Sequence, residues 1–196
     1  MEARSVSRGR SVMNIVFMLE EPSMKHFLAG FIGRLFPEHF TVTYLVHEGK
    51  QDLEKSIPRK LRGWQVPNSY FIIVRDKDGE DPLVLKARLR ELCADRPESL
   101  IRIPVHHLES WILGDLPALA IAFNKPSLVA LAGNRKFRSP DSLANASQEL
   151  AKLIPGYQKV GGARSVSPHV NIENNLSRSF NLFIRDVKRL AGIEPV

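Results

Sequence analysis

The sequence has a single cysteine, Cys93, among its 196 residues, and only 8% of its residues are aromatic. One cysteine can form neither an internal disulfide nor a cysteine-rich zinc site, and few cysteines are typical of a reducing compartment. The apolar runs, such as residues 15–19 and 71–74, are far shorter than the roughly 20 residues that a membrane helix needs. No secretory apolar segment follows the arginines near the N-terminus. We therefore expect a cytoplasmic protein without a membrane segment.

Positive charge exceeds negative charge, with 28 Lys and Arg against 21 Asp and Glu and a net charge of +7. This balance favours an anionic partner such as nucleic acid, although a basic surface that serves only solubility explains it equally well. The length and the 43% of hydrophobic residues predict a folded domain with a sizeable core and exclude wholesale disorder. Residues 1–12 are polar, basic and aperiodic, and we predict a disordered basic tail there.

Short apolar runs alternate with longer amphipathic ones from residue 14 onward, which is typical of a parallel sheet flanked by helices. The pattern predicts strands at residues 14–19, 40–46, 70–75 and 99–105. Ser23 is the expected N-cap of a first helix that Pro37 ends, and Asp81 with Pro82 is expected to begin a later helix. We therefore predict an α/β core at residues 13–123.

The chain is less regular beyond residue 124, where two helices are predicted at 141–154 and 179–190, with a break at Gly161 and Gly162. Before this region, Pro117 is expected to kink or split a helix at 108–123. We predict that residues 124–196 form a mainly helical extension packed on the core.

Acidic residues follow two of the predicted strands, with Glu20 and Glu21 after the first and Asp76 and Asp78 after the third. In open parallel sheets ligands bind outside the carboxyl ends of the strands, and residues two apart in an extended segment point to the same side. Carboxylates brought together repel one another unless they bind a proton or a cation such as Mg²⁺. A metal site is one explanation of this spacing. The other explains it equally well: Asp76 and Asp78 lie in a solvated turn, and Glu20 and Glu21 are a charge pair at the start of a helix.

Further candidate acids are Glu109, Glu21 and Glu80. Glu109 follows the fourth predicted strand, so it is either another metal ligand or an ordinary residue of a first helical turn. For Glu21, an interaction with the dipole of the following helix is favoured over metal binding. His106 and His107 precede Glu109, but neighbours on a strand face opposite sides, which disfavours a zinc site.

Lys159 and Arg164 flank the glycine pair at residues 161 and 162. A glycine loop can approach a phosphate backbone closely, and the two cations would then bind phosphate or nucleic acid. The alternative is that both serve only the solubility of a helix surface.

The strand that ends in Glu20 and the later strand followed by Asp76 and Asp78 resemble the Toprim domain of topoisomerases, primases and OLD-type nucleases. Several further segments resemble a bacterial Toprim-like family of unknown function: LEEPSMK at 19–25, PRKLRG at 58–63, HLESW at 107–111, KVGGA at 159–163 and SRSF at 177–180. The resemblance extends from residue 13 to about residue 190.

This resemblance implies a Toprim fold in which Glu20 acts as a general acid or base and Asp76 and Asp78 hold Mg²⁺ or Mn²⁺. It implies cleavage of phosphodiester bonds in DNA or RNA. Relatives in this group are often encoded beside an AAA or OLD-like ATPase and are linked to phage defence, so an ATPase is an expected partner. Glu21 stands where a glycine often follows the catalytic glutamate. The alternative is therefore a catalytically silent subunit that docks and regulates an ATPase.

Overall fold

Four parallel strands form the central sheet of the computed structural model, which describes residues 12–104 and 107–193. The strands are β1 (Met13–Leu19), β2 (Phe40–Val46), β3 (Ser69–Val74) and β4 (Leu100–Arg102), and their order in the sheet is β2-β1-β3-β4. β1 is central, and its last residue, Leu19, lies opposite Val46 of β2 and Val74 of β3. The predicted α/β fold with a parallel sheet is confirmed, and the carboxyl ends of β1 and β3 are neighbours.

Helices cover both faces of the sheet: α1 (Pro22–Ala29), α2 (Lys50–Gly63), α3 (Pro82–Leu92), α4 (His107–Leu113), α5 (Leu116–Ala122), α6 (Ala146–Leu153), α7 (Lys159–Val166) and α8 (Arg178–Leu190). Helices α2 and α3 pack on one face, where Met18 of β1 shares an apolar cluster with Leu53 and Leu85. Side chains of α1 and of α4 to α8 share a cluster with Phe17 of β1 on the other face. Alternate residues of β1 thus belong to opposite clusters, as the period of a strand requires.

The helical C-terminal segment contributes aromatic side chains to the cluster beneath the sheet. Phe180 and Phe183 of α8 are fully buried, and Trp111 of α4 is only 1% exposed. The ring centroid of Phe183 lies 4.9 Å from that of Trp111 and 6.3 Å from that of Phe17 in β1. Burying one such phenylalanine contributes about 1.5–3 kcal/mol to folding. The segment and the sheet therefore share one hydrophobic cluster.

Several element boundaries differ from the predicted ones. Helix α1 begins at Pro22, one residue before the expected N-cap Ser23, because proline suits the first helical position and its missing N–H is not needed there. It ends at Ala29, and a short 3-10 helix, Ile32–Arg34, precedes Pro37. The predicted helix at 108–123 is split into α4 and α5, with Pro117 in the first turn of α5. The cap at Asp81 is confirmed, because its carboxylate accepts hydrogen bonds from two N–H groups of α3.

The glycine pair predicted as a break lies instead within helix α7. A Cβ atom at Gly162 would lie 2.0 Å from Cε2 of Tyr157, a distance too short for two non-bonded carbon atoms. Gly161, by contrast, has open space around it, with Cβ of Gln158 at 3.9 Å as its nearest neighbour. Close packing of α7 on the Tyr157 ring, rather than a turn, therefore accounts for glycine at position 162.

Two sequence predictions concern the ends of the chain and its membrane association. The predicted basic tail lies outside the described residues except for Val12. Within residues 12–104 and 107–193, no helix is long and apolar enough to cross a membrane.

The contrast between the two glycines gives a test of the packing in α7. We expect Gly162→Ala to lower the free energy of unfolding by about 1–3 kcal/mol, because the added methyl group overlaps the Tyr157 ring. The matched variant Gly161→Ala should raise it by about 0.5–1 kcal/mol, because alanine is the better helix former. Urea unfolding measures both changes, and a shift of the same sign in both variants would contradict the packing described here.

Candidate functional site

Glu20 follows β1 directly and Asp76 is the second residue after β3, at the adjacent carboxyl ends of the two strands. Oε2 of Glu20 accepts a hydrogen bond from the backbone N–H of Asp76 at 3.0 Å. Asp76 is buried, with 8% of its surface exposed, and Glu20 is partly buried. Two of the predicted site residues, 56 positions apart in the sequence, are therefore in direct contact.

Asp78 lies in the loop that follows β3. The strand ends at Val74 and Asp78 has a φ of 48°, a left-handed conformation that aspartate adopts more readily than most residues. The loop, rather than the alternation of a strand, therefore sets its position. Oδ2 of Asp78 is 3.4 Å from Nζ of Lys50. The carboxylate nevertheless lies close enough to Glu20 for its charge to raise the pKa of that residue.

Arg75 anchors this loop, and the sequence analysis did not identify it as a functional residue. Its side chain is fully buried, and its guanidinium donates to Glu54 at 3.2 Å, to Glu80 and to the carbonyl oxygen of Asp76. Arg88 of α3 binds the same two glutamates, at 3.1 Å and 2.7 Å. A buried charge is tolerated when partners surround it, so this network fixes the start of the loop. The one signal in the sequence was a charged residue at the end of an apolar run.

Glu80, a predicted additional acid, belongs to this network rather than to the contact between Glu20 and Asp76. One of its carboxylate oxygens accepts from Arg75 and the other from Arg88. The hydrogen bond from Arg88 and the charges of both arginines hold the pKa of Glu80 below its usual value. Its contacts are those of a loop anchor.

Lys159 joins the two other predicted acids, Glu21 and Glu109. Its Nζ lies 3.2 Å from Oε2 of Glu21 and 3.9 Å from Oε1 of Glu109. Burial lowers the pKa of Lys159, but the charges of Glu109, Glu21 and Asp76 outweigh this effect and raise it. The acids after β1 and at the start of α4 therefore share one cation, and Asp76 lies within its electrostatic reach.

Two buried oxygen atoms near Glu21 and Glu109 have no hydrogen-bond partner among the described residues. They are Oε2 of Glu109, whose side chain is 3% exposed, and the hydroxyl of Tyr157. Burial, together with the nearby charges of Glu109 and Glu21, raises the pKa of Tyr157 above its usual value. Buried polar atoms without partners are costly, so these two are candidates to contact a ligand. Tyr157 had no recognisable signal in the sequence.

Arg164, the second predicted phosphate contact, points elsewhere. Its Nη2 lies 3.3 Å from Nε2 of His26 in α1, on the exposed side of α7. Burial and the charges of Arg164 and Lys25 lower the pKa of His26. No acid in the part of the chain that the structure describes forms an ion pair with Arg164.

Electrostatics at the end of β1 favours a proton or a cation. Burial raises the pKa of Glu20 above its usual value, and the charges of Asp76 and Asp78 raise it further. The hydrogen bond from Asp76 N–H and the charge of Arg75 oppose this shift without cancelling it. The ionised form of Glu20 is thus destabilised in the folded protein.

The chemistry of this donor set suits a hard divalent cation, because carboxylate oxygens are the ligands that Mg²⁺ and Mn²⁺ prefer. Within residues 12–104 and 107–193, however, no three Asp, Glu, His or Cys side chains are close enough to share one ion. The ammonium groups of Lys50 and Lys159 lie beside Asp78, Glu21 and Glu109 instead. His106 and the side chain of His107, considered above for zinc, lie outside the described residues.

Comparison with known proteins places the site within a matched region. A family model described as "Domain of unknown function (DUF4276)" matches residues 19–188. A search of curated proteins found no match. Among solved structures, the C-terminal region of the Burkholderia pseudomallei OLD protein is similar, with a TM-score of 0.50 and 18% identity. The match covers 89% of this chain and 97% of that one, and at this identity it shows a shared fold.

The raised pKa of Glu20 predicts that its ionisation destabilises the fold. The native state binds the proton more tightly than the unfolded chain, so this cost is present at neutral pH and disappears below the usual pKa of 4.5. We expect Glu20→Gln, which retains an acceptor for Asp76 N–H, to raise the melting temperature at pH 7 in the presence of EDTA. The difference should shrink as the pH falls towards 4.

Glu149→Gln is the matched control, because hydrogen bonds from Lys136 and Lys152 lower the pKa of Glu149. Its ionised form stabilises the fold above the usual pKa, so this variant should melt at a lower temperature at pH 7, with the difference lost in acid. Differential scanning calorimetry from pH 4 to 8 compares the two variants. A lower melting temperature for Glu20→Gln at pH 7 would show that the ionised carboxylate of Glu20 does not destabilise the fold.

Proposed function

We propose that this chain, which belongs to the DUF4276 family, is a metal-dependent nuclease of the Toprim type that cleaves phosphodiester bonds in DNA or RNA. The observation that carries this proposal is the hydrogen bond between Glu20 and Asp76 at the adjacent ends of β1 and β3. The fold shared with the C-terminal region of an OLD protein supports it, as does the resemblance of these strand-end acids to the Toprim domain.

Asp76 and Asp78 would hold Mg²⁺ or Mn²⁺, with water and substrate phosphate oxygens as the remaining ligands, because such an ion commonly takes only one or two carboxylates. When bound, such an ion neutralises charge on the phosphate and activates or orients the attacking group. Glu20 is suited to general acid and base work, because its raised pKa lies closer to neutral pH than that of an ordinary carboxyl. The N–H of Asp76 fixes the orientation of its carboxylate.

Lys159 is the better placed of the two proposed phosphate contacts. Its ammonium group lies among Glu21, Glu109 and the charge of Asp76, whereas Arg164 contacts His26. A lysine is a compact cation that suits phosphate oxygens. In this proposal Lys159 binds the phosphate of a substrate, while Glu21 restrains the ammonium group before substrate arrives.

A second candidate function is a catalytically silent subunit that docks and regulates an ATPase partner. The observation that supports it is that Lys50 and Lys159 form ion pairs with Asp78, Glu21 and Glu109, so these acids are neutralised without a metal ion. Either function would suit an effector in an ATPase-coupled phage-defence system. The two functions differ in whether the acids are needed for chemistry.

A cleavage assay distinguishes the two functions. The purified protein is incubated with single-stranded DNA, double-stranded DNA and RNA, in Mg²⁺, Mn²⁺ or EDTA. We expect cleavage that requires the metal ion and falls at least about 100-fold in Glu20→Gln, because a positioned general acid or base contributes at least that factor. We expect a comparable loss in Asp76→Asn.

Glu38→Gln is the control, because Glu38 is an exposed acid in the segment that precedes β2. It should cleave at the rate of the unaltered protein. Undiminished cleavage by Glu20→Gln would contradict the proposed role. Absence of cleavage of every substrate, with and without a co-purified ATPase, would favour the docking function, provided that the complex survives Asp76→Asn.

A further inference from the structure

A second charged site lies beside β4, which is an edge strand of the sheet. A cavity of about 500 Å³ is lined by the loop before β4, by β4 itself, by the end of α3 and by the last turns of α8. Its charged residues are four arginines and two acids: Arg90, Arg102, Arg185, Arg189, Glu98 and Asp186. We refer to this cavity as the arginine pocket. None of its residues belongs to the site described above.

Positive charge in the arginine pocket exceeds the negative charge available to balance it. Asp186 forms an ion pair with Arg102 and another, at 3.0 Å, with Arg185. Arg189 forms no ion pair with any acid of the described residues. Four guanidinium groups thus share two carboxylates, and one of these carboxylates already serves two arginines.

Part of this positive charge is withdrawn from water. Arg102 is half-buried, and its Nε–H has no hydrogen-bond partner among residues 12–104 and 107–193. Burial, together with the charge of Arg185, lowers the pKa of Arg102. A buried donor without a partner and a crowd of like charges are both unfavourable, and an anion in the pocket would relieve both.

A purely structural role explains only part of the pocket. Arg90 donates to the carbonyl oxygens of Pro97 at 2.6 Å and Ser99 at 2.8 Å, so it holds the loop before β4. Such a role leaves the Nε–H of Arg102 and the whole of Arg189 unexplained. Guanidinium groups match the geometry of phosphate oxygens, and cavities of this volume are typical of small-ligand sites.

We propose that the arginine pocket binds phosphate groups, either those of a free phosphorylated ligand such as a nucleotide or those of a nucleic-acid backbone. Arg185 and Arg189 supply exposed guanidinium groups at its rim, and Arg102 supplies a half-buried one. None of Glu20, Asp76, Asp78 and Lys159 lines the pocket. The proposal therefore holds whether or not the chain is a nuclease.

Calorimetry on the full chain tests this proposal, with EDTA present so that the acidic site binds no metal. The probes are pyrophosphate, ATP and a single-stranded oligonucleotide. We expect at least one probe to bind, and its Kd to rise about tenfold or more in Arg185→Gln/Arg189→Gln, since two charge-assisted hydrogen bonds are lost. The matched double variant Arg59→Gln/Lys60→Gln removes two exposed charges from α2 and should leave the Kd within about twofold at physiological salt.

The probes distinguish the two sources of phosphate. Weaker binding of pyrophosphate or ATP in the arginine variant supports a free phosphorylated ligand, whereas an effect on the oligonucleotide alone supports a backbone contact. Failure of the unaltered protein to bind any probe overturns the proposal. Equal losses in the arginine variant and the α2 control also overturn it.

Asp186→Asn provides a test in the opposite direction. It removes the charge that competes for Arg102 and Arg185 but retains a hydrogen-bond acceptor. We expect this variant to bind the same probe more tightly than the unaltered protein, and melting curves confirm that each variant is folded. Weaker binding in a folded Asp186→Asn protein would contradict a site for anions.

Discussion

The arrangement of Glu20 and Asp76 at the carboxyl ends of β1 and β3 depends on the hydrogen bonds of one buried guanidinium group, that of Arg75. It follows β3 directly and binds Glu54 of α2, Glu80 in the loop before α3, and the carbonyl oxygen of Asp76. A charge removed from water this completely requires partners, and these come from α2 and from the loop between β3 and α3. The loop after β3 therefore has little freedom, and the N–H of Asp76 meets the carboxylate of Glu20 on the neighbouring strand.

Around this anchored loop the charged groups form two parts with different electrostatics. In the first, Asp76 and Asp78 raise the pKa of Glu20, so these acids favour a proton or a cation. In the second, the ammonium group of Lys159 lies between Glu21 and Glu109. Our proposal assigns the metal ion to the first part and the phosphate to the second. In this proposal a substrate phosphate would lie between the metal ion and the ammonium group of Lys159.

The sequence predicted the parts of the structure that local patterns determine, such as β2 and the Asp81 cap of α3. Strand β4 is shorter than predicted because it pairs only with the last residues of β3, which ends at Val74. Gly162 was predicted to be part of a break, but it lies within helix α7, where the absence of a side chain leaves room for the Tyr157 ring. Such contacts join distant segments and leave no periodic trace, and the same holds for the partners of Arg75.

The site residues show the same division between local and long-range information. Glu20 and Asp76 are in contact because they follow parallel strands whose carboxyl ends are neighbours. The sequence predicted that both lie at this edge, because ligand sites of open parallel sheets lie at the carboxyl ends of the strands. The pairing of Lys159 with Glu21 spans 138 positions and was not predictable from spacing. Binding of Mg²⁺ or Mn²⁺, measured by calorimetry on the unaltered protein and on Asp76→Asn/Asp78→Asn, tests the central claim most directly. We expect binding that the double variant abolishes, and equal binding by both proteins would contradict a metal site at these strand ends.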